Sequence, residues 1–398
     1  RAAVRDIASD LGGVLEASPP DIDRPGAADL WNLLKAGRRF RAIGRRDGYR
    51  LLRWGPMPVA DLVGECFENE LLRAAIAAPG LSGTMFGPRS AGSALVLLTR
   101  AAHRQLAGNG RLQVRGGPGA LTQALAAAAS SAGATIRVNA PVERIVVAGG
   151  RAAAVVVNGE TIEAKRIISA VDPKTTFLRL IDPVDLTPDF ASKLRNYRSS
   201  GTVAKINLAL AGLPAFGVDP AALSSRIHMG PELDYLERAF DHAKYGELSG
   251  APWLDMTLPS ILDPALAPEG KHVASIYVDY APYRLRRGAW GSAGDQLLEA
   301  TLDVLERHAP GIRNQIVAAQ VITPADLESA YGLAGGHIFH GELALDQLFT
   351  MRPLLGYARY ATPIGGLFLC GAGTHPGGFL TGASGRLAAR AILDTKQI

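Results

Sequence analysis

Cysteine is nearly absent from this sequence, which has only Cys66 and Cys370 in 398 residues. Two thiols are too few for a disulfide framework, a zinc ribbon or an iron–sulfur site. We therefore expect a protein of a reducing, cytoplasmic-type compartment, and we predict no metal centre.

Long hydrophobic runs are missing as well. The longest weakly charged stretch covers residues 74–99 and has Arg89 as its only charge, but six glycines and prolines interrupt it. A membrane-spanning helix needs about 20 consecutive apolar residues, so buried helices joined by tight turns explain this stretch better. Neither a G-X-Y repeat nor a heptad repeat occurs, which excludes collagen-like and coiled-coil proteins.

The composition that remains, 47% hydrophobic and 20% charged, is typical of a soluble globular protein. A disordered chain could not bury enough apolar area to offset its conformational entropy. The length indicates two to three domains, or two large ones, since a domain holds about 150 residues.

Positive charge is concentrated in residues 35–53, where eight basic residues accompany one acid, Asp47. The segment's charge of +7 (eight minus one) exceeds the +5 of the whole chain. A solvated, arginine-rich helical face is one interpretation, and contact with a membrane surface or another anionic partner is a second. We predict no nucleic-acid partner, because no nucleic-acid fold signature accompanies the charge. The basic residues are Lys35, Arg38, Arg39, Arg41, Arg45, Arg46, Arg50 and Arg53.

The patterns of helix and strand divide the chain into four blocks with no low-complexity linker between them. The first is helical, the second mixes a glycine-rich turn with a helix and short strands, and the third has alternating strands typical of a half-buried antiparallel sheet. The fourth ends in a strand, a glycine-rich segment and a helix. We therefore expect domains that are interleaved in sequence. The blocks cover residues 1–105, 106–175, 176–326 and 327–398.

Several short strands are predicted in the second block, after an alanine-rich helix over residues 120–132. The third block contains three strands and one long helix. The predicted strands of the two blocks cover residues 135–138, 142–147, 153–157, 160–164, 167–171, 203–210, 253–258 and 273–280, and the long helix covers residues 292–308.

A glycine-rich loop near the C-terminus is the strongest chemical signal. Residues 367–370 form a short continuous apolar run, which is typical of a strand buried on both faces in a parallel sheet. Directly after it comes Gly371-Ala372-Gly373-Thr374-His375-Pro376-Gly377-Gly378, the glycine loop, and Gly382 then opens a helix over residues 382–393. Strand, glycine loop and helix present bare N–H groups and a positive helix end to an electron-rich ligand. A tight turn with close helix–strand packing is the alternative interpretation.

An opening strand–GxGxxG–helix unit, which a Rossmann-type sheet needs, does not occur in this sequence. The nearest candidate, Gly116-Gly117-Pro118-Gly119, has a proline and a spacing that suit another role. Only 21 residues follow Gly377, so the glycine loop must belong to the last strand and helix of a sheet that begins elsewhere.

The glycine loop resembles the C-terminal flavin signature of phytoene-desaturase-type oxidoreductases, which belong to the amine-oxidase-like flavoproteins. Within that group, the sequence is similar to the subfamily of pyridine nucleotide-disulfide oxidoreductase domain-containing protein 2 and its bacterial relatives, from about Cys66 to the C-terminus. The motifs that carry this similarity are Gly335-Gly336-His337-Ile338-Phe339-His340, Leu345-Asp346-Gln347-Leu348, Arg352-Pro353, Thr323-Pro324-Ala325-Asp326-Leu327-Glu328 and Leu262-Asp263-Pro264.

The resemblance implies a mixed α/β fold: a Rossmann-like FAD-binding domain interleaved with a substrate domain of antiparallel sheet plus helices. Residues 106–175 and 327–398 would be FAD-binding segments, and residues 1–105 and 176–326 would form the substrate domain. Ala372 occupies a position where many amine-oxidase-like proteins have an acid. The implied FAD-binding residues are Gly116, Gly117, Val142, Gly371, Ala372, Gly373, Thr374, His375, Pro376, Gly377, Gly378 and Gly382.

The implied function is an FAD-dependent dehydrogenase or desaturase that acts on a hydrophobic small molecule by hydride transfer to the flavin. Such a transfer need not use a side-chain base, so we assign no catalytic residue. The alternatives are a flavin-dependent polyene isomerase or saturase, and a non-catalytic flavoprotein-like scaffold. The protein could be a monomer or a homodimer.

The resemblance also implies an N-terminal truncation, because the family's dinucleotide fingerprint lies upstream of the part that this sequence matches. The missing helix N-terminus would hold the pyrophosphate. We therefore expect residues 1–398 to bind FAD at least ~100-fold more weakly than a full-length protein, and to aggregate more readily.

Four side chains outside this assignment have more than one interpretation. His337 and His340 form an H-x-x-H pair, which suggests a metal site, a flavin-proximal loop or ordinary hydrogen-bonding histidines. Ser384 has no nucleophile elbow around it, so helix capping is expected. Cys370 is expected to pack as a small hydrophobe, with a covalent flavin thioether as the alternative.

Overall fold

The computed structural model describes residues 2–21, 26, 30–31, 34–35, 37–38, 41, 44–106 and 114–394. Its helices are α1 (Ala2–Leu15), α2 (Gly44–Trp54), α3 (Val59–Gly64), α4 (Glu70–Ala77), α5 (Ser93–Leu106), α6 (Gly117–Ser131), α7 (Pro173–Leu178), α8 (Pro188–Asn196), α9 (Leu233–Lys244), α10 (Trp290–His308), α11 (Pro324–Tyr331) and α12 (Ala383–Asp394). Its strands are β1 (Val142–Ala148), β2 (Arg151–Val157), β3 (Glu160–Glu163), β4 (Ile167–Ser169), β5 (Val203–Leu210), β6 (Ile227–Met229), β7 (Trp253–Thr257), β8 (His272–Asp279), β9 (Ile316–Ile322) and β10 (Leu367–Leu369).

An antiparallel sheet of five strands, in the order β6-β7-β8-β5-β9, forms the largest layer. Alternate residues of β5 point to one face, where Ile206 and Leu208 are fully buried. Helix α10 packs its apolar stripe against that face, with Leu297 and Leu305 in the shared core. The predicted antiparallel sheet with one buried face is therefore confirmed. Its strands β5, β7 and β8 lie within a residue of their predicted bounds, whereas β6 and β9 were not predicted.

Two smaller sheets carry the glycine loop. Strands β1, β2 and β3 form an antiparallel sheet, and β10 pairs in parallel with β4 so that Leu367 lies opposite Ile167. All three residues of β10 are buried, as expected for a strand enclosed on both faces. The parallel pair places the glycine loop directly beyond the C-terminal ends of β4 and β10.

The N-terminal helices form a separate apolar core with α9. Ile7 of α1 and Leu98 of α5 are almost fully buried in it, together with Leu236 of α9. Helix α5 therefore packs against α1, and the end of α1 also reaches α12, where Glu16 pairs with Arg386 at 3.5 Å. No helix in the described part of the chain has both the length and the apolarity that crossing a bilayer requires.

Residues 135–138 are not a strand, so this prediction is wrong. Ile136 is 50% exposed and Val138 is 78% exposed, and no described strand lies beside them to accept their backbone hydrogen bonds. Extended residues form a strand only when a neighbouring strand pairs with them. Helix α6 also begins at Gly117, three residues earlier than predicted, because Gly116 adopts the left-handed conformation that starts it.

Candidate functional site

Close backbone contacts fix the shape of the glycine loop. The backbone N–H of Cys370 donates to the Ser169 carbonyl, which holds the start of the loop to the end of β4. Gly371 has a φ of +84°, and a Cβ there would lie 2.8 Å from the Ala170 carbonyl oxygen. At Gly378 a Cβ would lie 2.8 Å from the Phe339 Cα. Glycine is required at these positions, since real Cβ atoms do not approach so closely.

The glycine loop offers backbone donors to a ligand. The N–H groups of Gly371, Ala372, Gly373 and Gly378 donate to no acceptor in the described part of the protein, whereas that of Thr374 bonds the Gly371 carbonyl. Unpaired N–H groups in a glycine loop form a concave site for electron-rich atoms. This arrangement fits the oxygens of a flavin's ribityl chain or ring.

Helix α12 adds a positive end to the same site. Gly382 precedes it with a φ of +68°, and its carbonyl accepts from the Arg386 N–H. The Ala383 N–H is satisfied by the Thr381 hydroxyl at 3.3 Å. Ser384 lies inside the first turn, so the cap expected of it is provided by its neighbours instead. The free N–H groups of the first turn stabilise negative charge near the loop.

Arg352 connects the glycine loop to the segment that precedes it. The side chain is fully buried, and its guanidinium donates to the carbonyl of Ala372 at 2.8 Å. Four further carbonyls accept from the same group. A buried guanidinium with this many acceptors holds irregular backbone in one geometry. The four further carbonyls belong to Phe339, Gly341, Glu342 and Gln347.

The other predicted FAD contacts lie on different elements. The Gly116 N–H donates to the Asp263 carboxylate at 2.6 Å, and a Cβ at Gly117 would meet only Leu266. Val142 pairs with Val157 at the start of β1 and is 41% exposed. The structure places residues 371–378 in one loop after β10 and Gly382 just before α12, and the FAD contacts assigned to these residues and to Gly116, Gly117 and Val142 remain predictions.

The histidines near the loop are buried and neutral. Burial lowers the pKa of His337 to about 3 and that of His375 to about 4. The H-x-x-H pair lies in a turn, where the Phe339 N–H donates to the His337 ring at 3.2 Å. Among the described residues no group of three metal-ligating side chains includes the pair. His337 Nε2 and His340 Nδ1 are buried without a hydrogen-bond partner among the described residues, so the flavin-proximal and ordinary hydrogen-bonding interpretations both remain predictions. Cys370 is half-buried, and burial raises the pKa of its thiol.

Three side chains near the glycine loop were not assigned from the sequence. They are Arg352, Arg100, whose Cζ lies 5.1 Å from the ring centroid of Phe339, and His103, whose ring lies 4.2 Å from that of Phe379. The motif containing Arg352 was recognised, but a charged residue usually lies at the surface, so its full burial was not foreseen. Arg100 and His103 lie three residues apart on α5, and this spacing was a signal that they share one helix face.

Comparison with known proteins identifies the class. Residues 65–393 match the family of flavin containing amine oxidoreductases, and the chain belongs to this family. Pyridine nucleotide-disulfide oxidoreductase domain-containing protein 2 of Rattus norvegicus is 35% identical over 403 residues, which cover 95% of this chain and 69% of the relative. Phytoene desaturase (lycopene-forming) of Pseudescherichia vulneris is 29% identical and covers 71% of this chain and 56% of the relative.

Solved structures agree in fold. An oxidoreductase from Methanosarcina mazei aligns with a TM-score of 0.52 at 16% identity, over 82% of this chain and 68% of that one. A putrescine oxidase variant aligns with a TM-score of 0.54 at 17% identity, over 86% and 68%. The predicted family and mixed α/β flavoprotein fold are confirmed. The protein is an FAD-dependent oxidoreductase, and the unpaired N–H groups of the glycine loop fit its cofactor.

Proposed function

We propose that this oxidoreductase removes hydrogen from a hydrophobic small molecule bound beside the glycine loop. The observation that carries the proposal is an apolar cluster in contact with that loop, which we call the phenylalanine cluster. Phe339 abuts Gly378, and the ring of Phe349 lies 6.3 Å from that of His375. Hydrophobic ligands bind where aromatic side chains line the site. The cluster consists of Leu95, Val96, Leu343, Leu348, Phe86, Phe339, Phe349 and Phe379.

The names of several relatives support this substrate class. One is called phytoene desaturase (lycopene-forming), and another is named as part of a limonene dehydrogenase of Castellaniella defragrans. Both names describe removal of hydrogen from a hydrocarbon. A hydrocarbon offers few hydrogen bonds, so an apolar, water-free surface must position it.

FAD, when bound, supplies the isoalloxazine ring that accepts the hydride. The chain's own residues would do three things: the glycine loop N–H groups hold the cofactor, Arg352 fixes the loop, and the phenylalanine cluster excludes water. His375 is neutral because burial lowers its pKa to about 4. It is therefore not a cationic acid at neutral pH, and no side-chain base is assigned.

The test of this proposal begins with FAD titration of the 398-residue chain, followed by flavin fluorescence quenching. Gly378→Ala introduces a Cβ at 2.8 Å from Phe339, whereas Gly385→Ala introduces one into open space. We expect Gly378→Ala to weaken FAD binding at least ~10-fold, about 1.4 kcal/mol, and Gly385→Ala to leave it unchanged. Equal affinities would show that the cofactor does not bind this loop.

The reaction itself is tested by anaerobic mixing of the FAD-loaded protein with polyenes and terpenes. Bleaching of the flavin by an apolar compound supports dehydrogenation. Product formed only from a pre-reduced flavin would favour the isomerase or saturase alternative. A flavin that no compound bleaches, on a protein that still binds FAD, would favour the scaffold.

We also propose that the basic segment contacts anionic membrane surfaces from the cytoplasm. Helix α2 exposes Tyr49 and Leu52 beside Arg45 and Arg46, and Trp31 is 52% exposed. Apolar and aromatic side chains among arginines are typical of helices that lie in a bilayer interface. Part of the segment, including Arg39, lies outside the described residues.

Vesicle co-sedimentation tests the membrane contact. We expect the chain to sediment with vesicles that contain phosphatidylserine and not with pure phosphatidylcholine. Replacement of Arg45 and Arg46 by glutamine should reduce the sedimented fraction. Replacement of Arg390 by glutamine, an exposed arginine on α12, should not. Equal sedimentation with both kinds of vesicle would contradict this contact.

A further inference from the structure

Beside the glycine loop, three side chains have buried nitrogen atoms without a hydrogen-bond partner in the described protein. They are Arg100 and His103 of α5 and His375 of the loop, here called the Arg100 cluster. His103 is 2% exposed and His375 is 1% exposed, yet neither ring nitrogen of either makes a hydrogen bond. The Nε of Arg100 is likewise buried and unpartnered. Buried polar atoms are nearly always satisfied, so three such groups together indicate a ligand.

Arg100 brings a positive charge to the cluster. Burial lowers the pKa of its guanidinium only to about 10, so it is charged at neutral pH. The guanidinium donates to the Ser82 carbonyl and forms no ion pair with a described residue. Asp279 attracts it from beyond ion-pair distance, and burial raises the pKa of that carboxyl to about 7. A buried cation without a close counter-ion is costly, so the missing partner is an anion.

Aromatic rings limit how that anion can approach. The Cζ of Arg100 lies 5.1 Å from the ring centroid of Phe339 and 5.7 Å from that of Phe379. The His103 ring lies 4.2 Å from Phe379. The two ring centroids are 5.4 Å apart, so both rings lie on one side of the guanidinium and the edge with its remaining N–H groups is left for binding. A guanidinium edge matches the planar, two-oxygen geometry of a carboxylate.

The rings of His103 and His375 also favour a carboxylate as the ligand. Burial lowers the pKa of both His103 and His375 to about 4, so both rings are neutral and each has one N–H to donate. Backbone carbonyls near both rings raise these pKa values without reaching hydrogen-bond geometry: Pro376 beside His103, and Val14, Leu15 and Ala17 beside His375. No carboxylate of the described protein pairs with these rings. A carboxylate could therefore accept from Arg100 and His103 together.

The phenylalanine cluster continues from the same side chains. Phe339 and Phe379 belong to it and also cover Arg100. We infer that the molecule bound here is amphipathic, with a carboxylate on Arg100 and His103 and an apolar chain along the phenylalanine cluster. This inference rests on the proposed function in taking that molecule as the substrate.

Phe379 borders the Arg100 cluster on the side of the phenylalanine cluster. It closes over both Arg100 and His103, and its neighbour Leu380 is 90% exposed. Gly382, two residues further on, has open space around it.

The experiment measures binding of cis-parinaric acid, a fluorescent polyene carboxylate, and of its uncharged methyl ester to the 398-residue chain. We expect the acid to bind at least ~10-fold more tightly than the ester. Arg100→Gln should remove this preference by weakening the acid alone, and His103→Phe should reduce it. Arg104→Gln is the matched control, because Arg104 is an exposed arginine on the same helix and should have no effect.

The outcomes separate this inference from the proposed function. Equal binding of acid and ester by the wild-type chain, or no binding of the acid, overturns the inference without any variant having to fold. An equal loss in Arg104→Gln and Arg100→Gln also overturns it. FAD titration is scored independently: failure of FAD binding with the acid preference intact contradicts the proposed function alone.

Discussion

The five-stranded sheet and the glycine loop are held in place by different forces. In the sheet, Leu208 and Ile276 are fully buried and pack against α10. Around the loop, the central buried group is a charged one, Arg352, and it binds backbone carbonyls. Helix α6, which precedes the β1–β3 sheet, buries none of its 15 residues. The sheet is thus stabilised by apolar area, and the loop by a polar network.

This difference shows where the molecule gives up stability for function. Apolar packing stabilises in proportion to the area buried and tolerates adjustment. A polar network stabilises the fold only when every donor and acceptor in it has a hydrogen-bond partner. Unpartnered ring nitrogens of His103, His337, His340 and His375 all lie near the loop. The loop region therefore has buried polar atoms without partners, whereas the core of the sheet is apolar.

Removal of Arg352 should have the largest effect. Arg352→Met keeps much of the side chain's bulk but leaves the carbonyls of Phe339, Gly341 and Ala372 without a donor. Unsatisfied buried groups of this kind should lower the free energy of unfolding by at least about 4 kcal/mol. Urea denaturation measures the change. Arg390→Met, on the exposed side of α12, should change it by less than about 0.5 kcal/mol.

Two leucine-to-alanine substitutions compare the contribution of apolar burial to stability in the sheet and in α6. Leu208→Ala removes a fully buried side chain of β5, and we expect it to cost about 3 kcal/mol. Leu125→Ala makes the same chemical change on α6, where Leu125 is 63% exposed, and should cost less than about 0.5 kcal/mol. A large effect at Leu125 in urea denaturation would mean that α6 is buried in solution, and the contrast between the regions would fail.

Sequence reasoning predicted the sheet well and the site in part. The alternation in β5 and the apolar run in β10 depend on local pattern, and both strands were found. Residues 135–138 were assigned wrongly because a strand also needs a neighbour, which local pattern does not show. Arg352 and His103 were not assigned for a similar reason: their burial depends on segments distant in sequence. Periodicity shows which face is apolar, but it does not show which charge is enclosed.

The two regions should respond to pH with opposite sign. Burial lowers the pKa of His375 in the loop to about 4, below its usual 6.5, so its contribution to stability is lost as the pH falls from 6.5 toward 4. Burial raises the pKa of Asp279, at the end of β8, to about 7, so its contribution is present at low pH and lost as the pH rises through 7.

Two variants separate these contributions in urea denaturation at pH 7 and pH 5. Between these values each group should contribute roughly 2 kcal/mol. His375→Gln should therefore reduce the loss of stability on acidification by that amount, and Asp279→Asn should increase it by a similar amount. If both variants shift the pH dependence in the same direction, the assignment of one of the two groups is wrong.

The smallest effect is expected where α6 contacts the segment that follows the sheet strand β7. Asp263 follows the sheet strand β7 along the chain and accepts from the Gly116 N–H at the start of α6, at 2.6 Å. A carboxylate at a helix N-terminus is favoured by the hydrogen bond and by the helix dipole, together worth about 1 kcal/mol. Asp263→Ala should lower the free energy of unfolding by that amount, and Asp263→Asn, which keeps an acceptor oxygen, by about half of it. Because α6 buries no side chain, this contact should also slow local opening of the helix, so amide hydrogen exchange in α6 should accelerate in Asp263→Ala while exchange in β5 stays the same. Equal acceleration in both elements would show that α6 and the sheet unfold as one unit. The distinction between α6 and the sheet would then not hold.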